Sequence, residues 1–194
     1  MADARILARV AKFKEDLRAR SHSSVVRRHI TFGDCYILDS DQEFDLREAV
    51  AARFDLHPND IFVVGSAKLG FSIAPHKRFR PFANRSDIDL AVISPALFDQ
   101  LWEAAFLYRA SVGFWDKEQD FVRYLSQGWI RPDKLPTGPF FPQSDDWFGF
   151  FRTLSSSGRF GRYKIAAGIY RSHFFFENYQ LASVAGCHTE ITRV

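Results

Sequence analysis

Residues 60–94 read DIFVVGSAKLGFSIAPHKRFRPFANRSDIDLAVIS, and this stretch decides the fold. It contains two apolar, β-branched runs: Ile61–Val64, which ends at Gly65-Ser66, and Ile88–Ile93, which follows Ser86-Asp87. Short apolar runs bounded by turn residues are typical of buried strands. The stretch therefore predicts one strand ending at Gly65 and a second strand over residues 87–94, separated by a long connection.

Two carboxylates stand at the start of the second predicted strand. Because side chains alternate between the faces of a strand, Asp87 and Asp89 share one face, with Cα atoms about 6–7 Å apart. Ile88 and Leu90 then point to the opposite face and into the core. Neighbouring carboxylates on a buried strand repel each other and need a compensating cation. Oxygen ligands of this kind suit Mg²⁺ or Mn²⁺, so the pattern predicts a divalent-metal site.

The Gly-Ser pair after the first strand supplies a complementary feature. A glycine at this point lets the backbone turn and approach a ligand closely. The amides of Gly65 and Ser66, with the Ser66 hydroxyl, are predicted to bind phosphate oxygens. Lys68 lies two residues further on and is interpreted either as a phosphate ligand or as a surface lysine. Ser86 is interpreted either as a hydrogen-bonding group near the metal or as the start of its strand.

The order Gly65-Ser66, then Asp87-x-Asp89, each on an apolar strand, resembles the signature of the nucleotidyltransferase superfamily typified by DNA polymerase beta. The chain also looks like small prokaryotic stand-alone nucleotidyltransferases of antiviral defence or toxin–antitoxin systems. The resemblance implies transfer of a nucleoside monophosphate from an NTP or dNTP to an acceptor hydroxyl on a nucleic acid, nucleotide or protein. It implies that Asp87 and Asp89 bind two divalent ions, and that Gly65 and Ser66 hold the β- and γ-phosphates.

Two features depart from the superfamily pattern. Twenty residues separate Ser66 from Asp87, and this insert is basic, with phenylalanines interleaved. It is interpreted either as a solvated loop or as a flap that contacts triphosphate or a nucleic-acid acceptor. The superfamily also has a third carboxylate on a neighbouring strand. The best candidate strand, residues 163–170, carries no acid, and Asp34 and Glu177 are the acids considered as substitutes.

Length and composition set the frame for these motifs. The chain has 194 residues, a net charge of +3 and 46% hydrophobic residues, which predicts a single globular domain over residues 1–194. No run reaches the roughly 18 apolar residues of a membrane span. The two cysteines are far apart and form no CxxC pair, so reduced thiols and a cytoplasmic location are expected.

The remaining pattern predicts an α/β or α+β layer fold around one mixed sheet flanked by helices. An N-terminal helix over 2–20 precedes the core motif region 60–94, and a region of helices and a further strand follows over 95–194. A polar linker is predicted over 21–24, and a short strand or hairpin over 29–38. The other predicted elements are helices over 44–54, 96–111, 115–125, 145–154 and 174–184, a loop over 131–144 and a strand over 163–170.

Two alternative functions stay open beside the enzyme. The missing third acid is compatible with a degenerate module of the same fold that binds nucleotide or a protein partner. The basic insert is compatible with a nucleic-acid-binding protein. The 21 phenylalanines include the run 174–176, which places aromatic rings most of the way round the circumference of a helix and indicates burial or a contact with a partner or a second copy.

Overall fold

A single four-stranded sheet organises the chain, as seen in a computed structural model that describes residues 3–192. Its strands are β1 (Ile61–Val64), β2 (Ile88–Ile93), β3 (Trp129–Ile130) and β4 (Ile165–Tyr170), in the order β1-β2-β4-β3. β2 is antiparallel to β1 and parallel to β4, while β3 is antiparallel to β4. The predicted mixed sheet of an α+β fold is therefore confirmed.

Helices cover both faces of this sheet. In the described part of the chain they are α1 (Ala4–Ala19), α2 (His22–Val26), α3 (Ser40–Phe54), α4 (Gly65–Leu69), α5 (Pro95–Ser111), α6 (Glu118–Leu125), α7 (Pro142–Ser156) and α8 (His173–Thr192). Local chemistry sets several of their ends. Asp39 begins α3 with a capping box closed by Gln42, and the Ser94 hydroxyl caps α5 just before Pro95.

The alternation along β2 separates two hydrophobic layers. Ile88, Leu90 and Val92 pack on the side of α3, α5 and α7. Ala91 and Ile93 pack on the other side, against residues of α1, α2 and α8. Because Asp87 and Asp89 share the parity of Ala91, they belong to the α8 side of the sheet. The predicted inward face of the strand is confirmed, and the carboxylates lie where the α8 layer begins.

Several predicted elements are wrong at the level of local structure. The expected linker 21–24 falls largely in α2, which Ser21 caps, and no strand forms over 29–38, where a π-helical turn (Arg27–Thr31) and bends occur. The burial of Val25, Val26 and Ile30 explains this, since tertiary contacts override the weak local pattern. α8 continues to Thr192 rather than ending at 184, and α7 begins at Pro142 within the expected loop.

The helix predicted over 2–20 spans Ala4–Ala19, and residue 2 lies outside the described residues. No helix within residues 3–192 is long and apolar enough to cross a bilayer.

Gly168 gives a first testable prediction about this core. The residue lies in β4, and a Cβ at this position would overlap the indole nitrogen of Trp129. Trp129 is held by ring contacts to Tyr170 and Tyr179, so it cannot move aside freely. We expect Gly168→Ala to lower the free energy of unfolding by about 1–3 kcal/mol, the usual effect of overpacking, measured by urea denaturation.

Gly149→Ala is the matched control for this substitution. Gly149 lies inside α7, and a Cβ there would meet no atom within 4 Å. Alanine should stabilise this helix by up to about 1 kcal/mol because it restricts the unfolded backbone. Equal effects of the two substitutions would contradict the proposed contact between Gly168 and Trp129.

Candidate functional site

A pocket of about 660 Å³ opens where β1 ends and β2 begins. Its wall is formed by the end of β1, the start of β2, the 67–86 insert, β3, β4 and one side of α8. Of the six residues predicted for the site, five line this pocket: Gly65, Ser66, Ser86, Asp87 and Asp89. The fold thus brings together two motifs that are twenty residues apart in sequence.

Gly65 lies directly against a carboxylate of the pocket. Val64 pairs with Asp89 across the β1–β2 ladder, and Gly65 follows with a φ of +63°, a value that favours glycine. A Cβ on Gly65 would lie 3.4 Å from Oδ2 of Asp89. The turn therefore needs glycine for its backbone conformation and for its close approach to Asp89.

The carboxylates carry the electrostatic signature of the site. The pKa of Asp89 is raised to about 6, mainly because its carboxyl group has lost contact with water and secondly because the charge of Asp87 is near. Lys164, Arg131 and Lys77 act in the opposite direction. By accessible area Asp89 is an exposed residue, because it opens into the pocket, so water there screens part of this effect. Nζ of Lys164 is 3.8 Å from Asp87 Oδ2, too far for a close hydrogen bond.

Lys68 does not reach the pocket. Its side chain is buried, and Nζ donates hydrogen bonds to both carboxylate oxygens of Glu43 on α3, at 3.1 and 3.4 Å. The pair ties α4 to α3, so Lys68 lies neither at the pocket, as a phosphate ligand would, nor at the surface, and its long-range partner Glu43 is the physical reason. Ser86 lines the pocket, but its hydroxyl accepts a hydrogen bond from the Ala83 amide and so also stabilises the turn before β2.

The aromatic and the cationic side chains of the basic insert point to different places in the fold. Phe71 and Phe82 are buried in the core, and Phe79 packs on Phe71, so these rings form no surface for stacking bases. Three exposed cations instead line the pocket, and none of them forms an ion pair within the described residues. They are Lys77, Arg80 and Arg85.

The insert is an ordered segment rather than a free flap. Phe71 and Pro81 form a β-bridge, and Ser72 exchanges backbone hydrogen bonds with Phe79 and Arg80 at 2.7 and 2.9 Å. At its tip, Arg78 lies over Gly186 of α8 and forms an ion pair with Glu190 at 3.1 Å. The insert is therefore fastened both to itself and to the C-terminal helix.

No unpaired third carboxylate lies beside Asp87 and Asp89 in the described residues. Ala166 is the partner of Asp89 on β4, which is the neighbouring strand. Neither substitute considered from the sequence lines the pocket, and Glu177 is instead paired with Arg27 at 2.8 Å.

Asp133 is the pocket acid that sequence reasoning missed. It follows β3 and lines the pocket, but Arg131 binds both of its oxygens, at 3.0 and 3.1 Å. The only sequence signal was an acid in a Pro-rich loop, which indicates nothing by itself. Its position depends on the two-residue strand β3, which is too short to produce a recognisable pattern.

The residues present fit a divalent ion that is shared with a phosphate substrate. Within residues 3–192, no group of three or more His, Cys, Asp and Glu side chains is arranged to hold a metal. Asp87 and Asp89 supply two carboxylates, and Mg²⁺ is commonly bound through one or two carboxylates, with water and substrate phosphates completing its shell. A cation would also offset both causes of the raised pKa of Asp89, which are burial and, to a smaller extent, repulsion from Asp87.

This geometry predicts how Asp89 titrates. In metal-free protein its carboxyl should titrate near pH 6, and added MgCl₂ should lower that pKa because a bound cation favours the charged form. Carboxyl-detected NMR, with assignment by Asp89→Asn, measures both values. A pKa near 4 that MgCl₂ leaves unchanged would contradict the arrangement.

The same shift has a consequence for stability. Because the folded pKa lies above the unfolded value, the folded state holds the proton more tightly between about pH 4 and 6. Raising the pH through this window should therefore lower the free energy of unfolding of the metal-free protein. Asp89→Asn should remove this loss and be more stable than wild type at pH 7, whereas Asp116→Asn, at an exposed residue outside the pocket, should not.

The chain was also compared with known proteins. No protein-family model matches it, and neither the curated proteins nor the solved structures contain a significant match.

Proposed function

We propose that the protein is a metal-dependent nucleotidyltransferase that transfers a nucleoside monophosphate from an NTP or dNTP to an acceptor hydroxyl and releases pyrophosphate. One observation carries the proposal. Asp87 and Asp89 face a single pocket beside the Gly65-Ser66 turn, and cations that form no ion pair within residues 3–192 line the same pocket. Carboxylates that hold a divalent ion beside cations that bind phosphate are the two requirements of phosphoryl-transfer chemistry.

The cations of the pocket would neutralise the negative charge of a phosphate substrate. Lys77, Arg80 and Arg85 belong to the insert, and Arg131 comes from the opposite wall. Unlike Lys68 and Arg78 of the same insert, these three cations have no acidic partner within residues 3–192, so a polyanion can bind them without breaking an existing ion pair. A triphosphate is the polyanion that also offers oxygens to a metal held by two carboxylates.

The carboxylates, Gly65 and the cations of the insert then each have a defined task. Asp87 and Asp89 hold Mg²⁺ or Mn²⁺, which when bound would polarise the phosphate and neutralise charge on the leaving pyrophosphate. Gly65 lets the backbone approach the phosphates without a side chain in the way. The exposed cations of the insert orient the triphosphate, and they suit a nucleic-acid or oligonucleotide acceptor as well. The buried, free cysteines Cys35 and Cys187 agree with a reducing compartment such as the cytoplasm.

A second candidate function is nucleotide binding without turnover. Two observations favour it: Ala166 lies beside Asp89 on the neighbouring strand, and Asp133 is neutralised by Arg131. Under this alternative the pocket senses a nucleotide, and the protein acts on a protein partner or through a second copy of itself.

The test is a turnover assay with each labelled NTP and dNTP, with Mg²⁺ or Mn²⁺ and a mixture of nucleic-acid, nucleotide and protein acceptors. Pyrophosphate release and product masses are measured together. We expect metal-dependent turnover that falls by about 100-fold or more in Asp87→Asn and Asp89→Asn, because each removes preorganised charge from the site. Asp116→Asn should retain wild-type turnover.

The outcomes separate the two candidates. Equal turnover in wild type and both pocket variants would reject the enzyme assigned to this pocket. Nucleotide binding measured by calorimetry, with no product under any metal, would favour the non-catalytic alternative.

A further inference from the structure

The pocket continues beyond the carboxylates to a wall that the phosphate chemistry does not use. This wall is formed where the end of β4 and β3 meet α8. It is lined by Trp129, Tyr170, Tyr179, Gln180 and Ser183.

Gln180 is the unexplained residue of this wall. Its side chain belongs to a residue that is only 5% exposed, and it forms no hydrogen bond with any of the residues 3–192. The polar atoms of this amide remain accessible from the pocket, whereas Nε1 of Trp129 in the same wall is buried and has no hydrogen-bond partner within residues 3–192. A buried donor without a partner is costly, so a ligand that supplied an acceptor here would be favoured. Because Gln180 lines the pocket, a molecule bound there would be the partner that its amide lacks.

The aromatic residues around Gln180 form a firm apolar surface. The rings of Trp129 and Tyr170 are parallel, with centroids 5.5 Å apart, and Trp129 also contacts Tyr179 at 4.5 Å. Gly168 leaves the space that the Trp129 indole occupies. An aromatic wall with one convergent amide is the usual composition of a site for a planar heterocycle.

This wall and the carboxylates belong to one continuous pocket. Tyr170 ends β4, the strand that pairs with β2 along its whole length. Burial is the main reason why the pKa values of Tyr170 and Tyr179 are raised, and the charge of Asp89 adds to both, so the two ends of the pocket are near each other electrostatically. A single small molecule can therefore contact both.

We propose that Gln180 and the aromatic wall of Trp129, Tyr170 and Tyr179 bind the heterocyclic base of a nucleotide whose phosphates lie at the Asp87–Asp89 end. This inference rests on the proposed function, which it deepens by assigning the base a place. The Gln180 amide has a donor and an acceptor side by side, the pattern needed to pair with the edge of a nucleobase.

Calorimetric titrations with three kinds of probe test the assignment. The probes are each of the four NTPs, the matching nucleosides, and inorganic tripolyphosphate, all with MgCl₂. We expect Gln180→Leu to weaken binding of the preferred NTP by about 10-fold, the effect of losing hydrogen bonds to one neutral side chain, and to leave tripolyphosphate binding unchanged. Gln119→Leu, at an exposed glutamine of α6 outside the pocket, should change neither affinity.

Thermal melting of the same variants separates ligand binding from a structural role. Leucine is close in size to glutamine and needs no hydrogen bond, so Gln180→Leu should not lower the Tm of the ligand-free protein. If Gln180 instead stabilises the fold, Gln180→Leu should lower the Tm of the ligand-free protein. Gln180→Asn, which keeps an amide but withdraws it by one methylene, repeats the affinity comparison in case the leucine variant does not fold.

The outcomes distinguish this inference from the proposed function. Unchanged NTP affinity in both Gln180 variants overturns the base site and leaves the transferase intact. Nucleoside binding that depends on Gln180, without any turnover, supports the base site and rejects the transferase. Equal losses of NTP and tripolyphosphate affinity overturn the base site, because the substitution would then act on the phosphate end, and absence of NTP and nucleoside binding overturns both proposals.

Discussion

The register of β2 between its two neighbours is the constraint on which the site depends. β2 lies inside the sheet, with Val64 opposite Asp89 on one side and Ala166 opposite it on the other. One face of the strand is buried along its whole length, so a slip by one residue would bring Asp89 into the core. The apolar residues of β2 thus fix the position of the carboxylates, although they never touch the pocket.

The sequence predicted those parts of the molecule that short-range rules govern. The strands beside Gly65 and Asp87 could be predicted from period-two alternation and turn residues. The structure contains both strands, in the mixed sheet of an α+β fold. The parts it missed depend on partners far along the chain. Lys68 is turned away from the pocket by Glu43 on α3, Asp133 is brought in by a two-residue strand, and Gln180 is placed by the packing of α8. No local pattern carries that information.

The phenylalanine excess has a similar explanation. In the insert, basic residues alternate with rings, which as a sequence suggests a surface for bases. The folded insert separates them, since Phe71 and Phe82 enter the core while Lys77, Arg80 and Arg85 line the pocket. The rings anchor the segment so that its charges occupy fixed places. The aromatic surface of the pocket comes instead from β3, β4 and α8, with Trp129 at its centre.

The fastening of Arg78 across Gly186, with its ion pair to Glu190, has a consequence for how a ligand would bind. The backbone bridge and this contact immobilise the insert when the chain folds, so its conformational entropy is lost before any ligand arrives. A ligand that binds the exposed cations therefore meets a preorganised surface, and association need not order a loop of twenty residues. The insert is thus an ordered wall of the pocket, and its rigidity would favour the affinity of an anionic ligand that binds there.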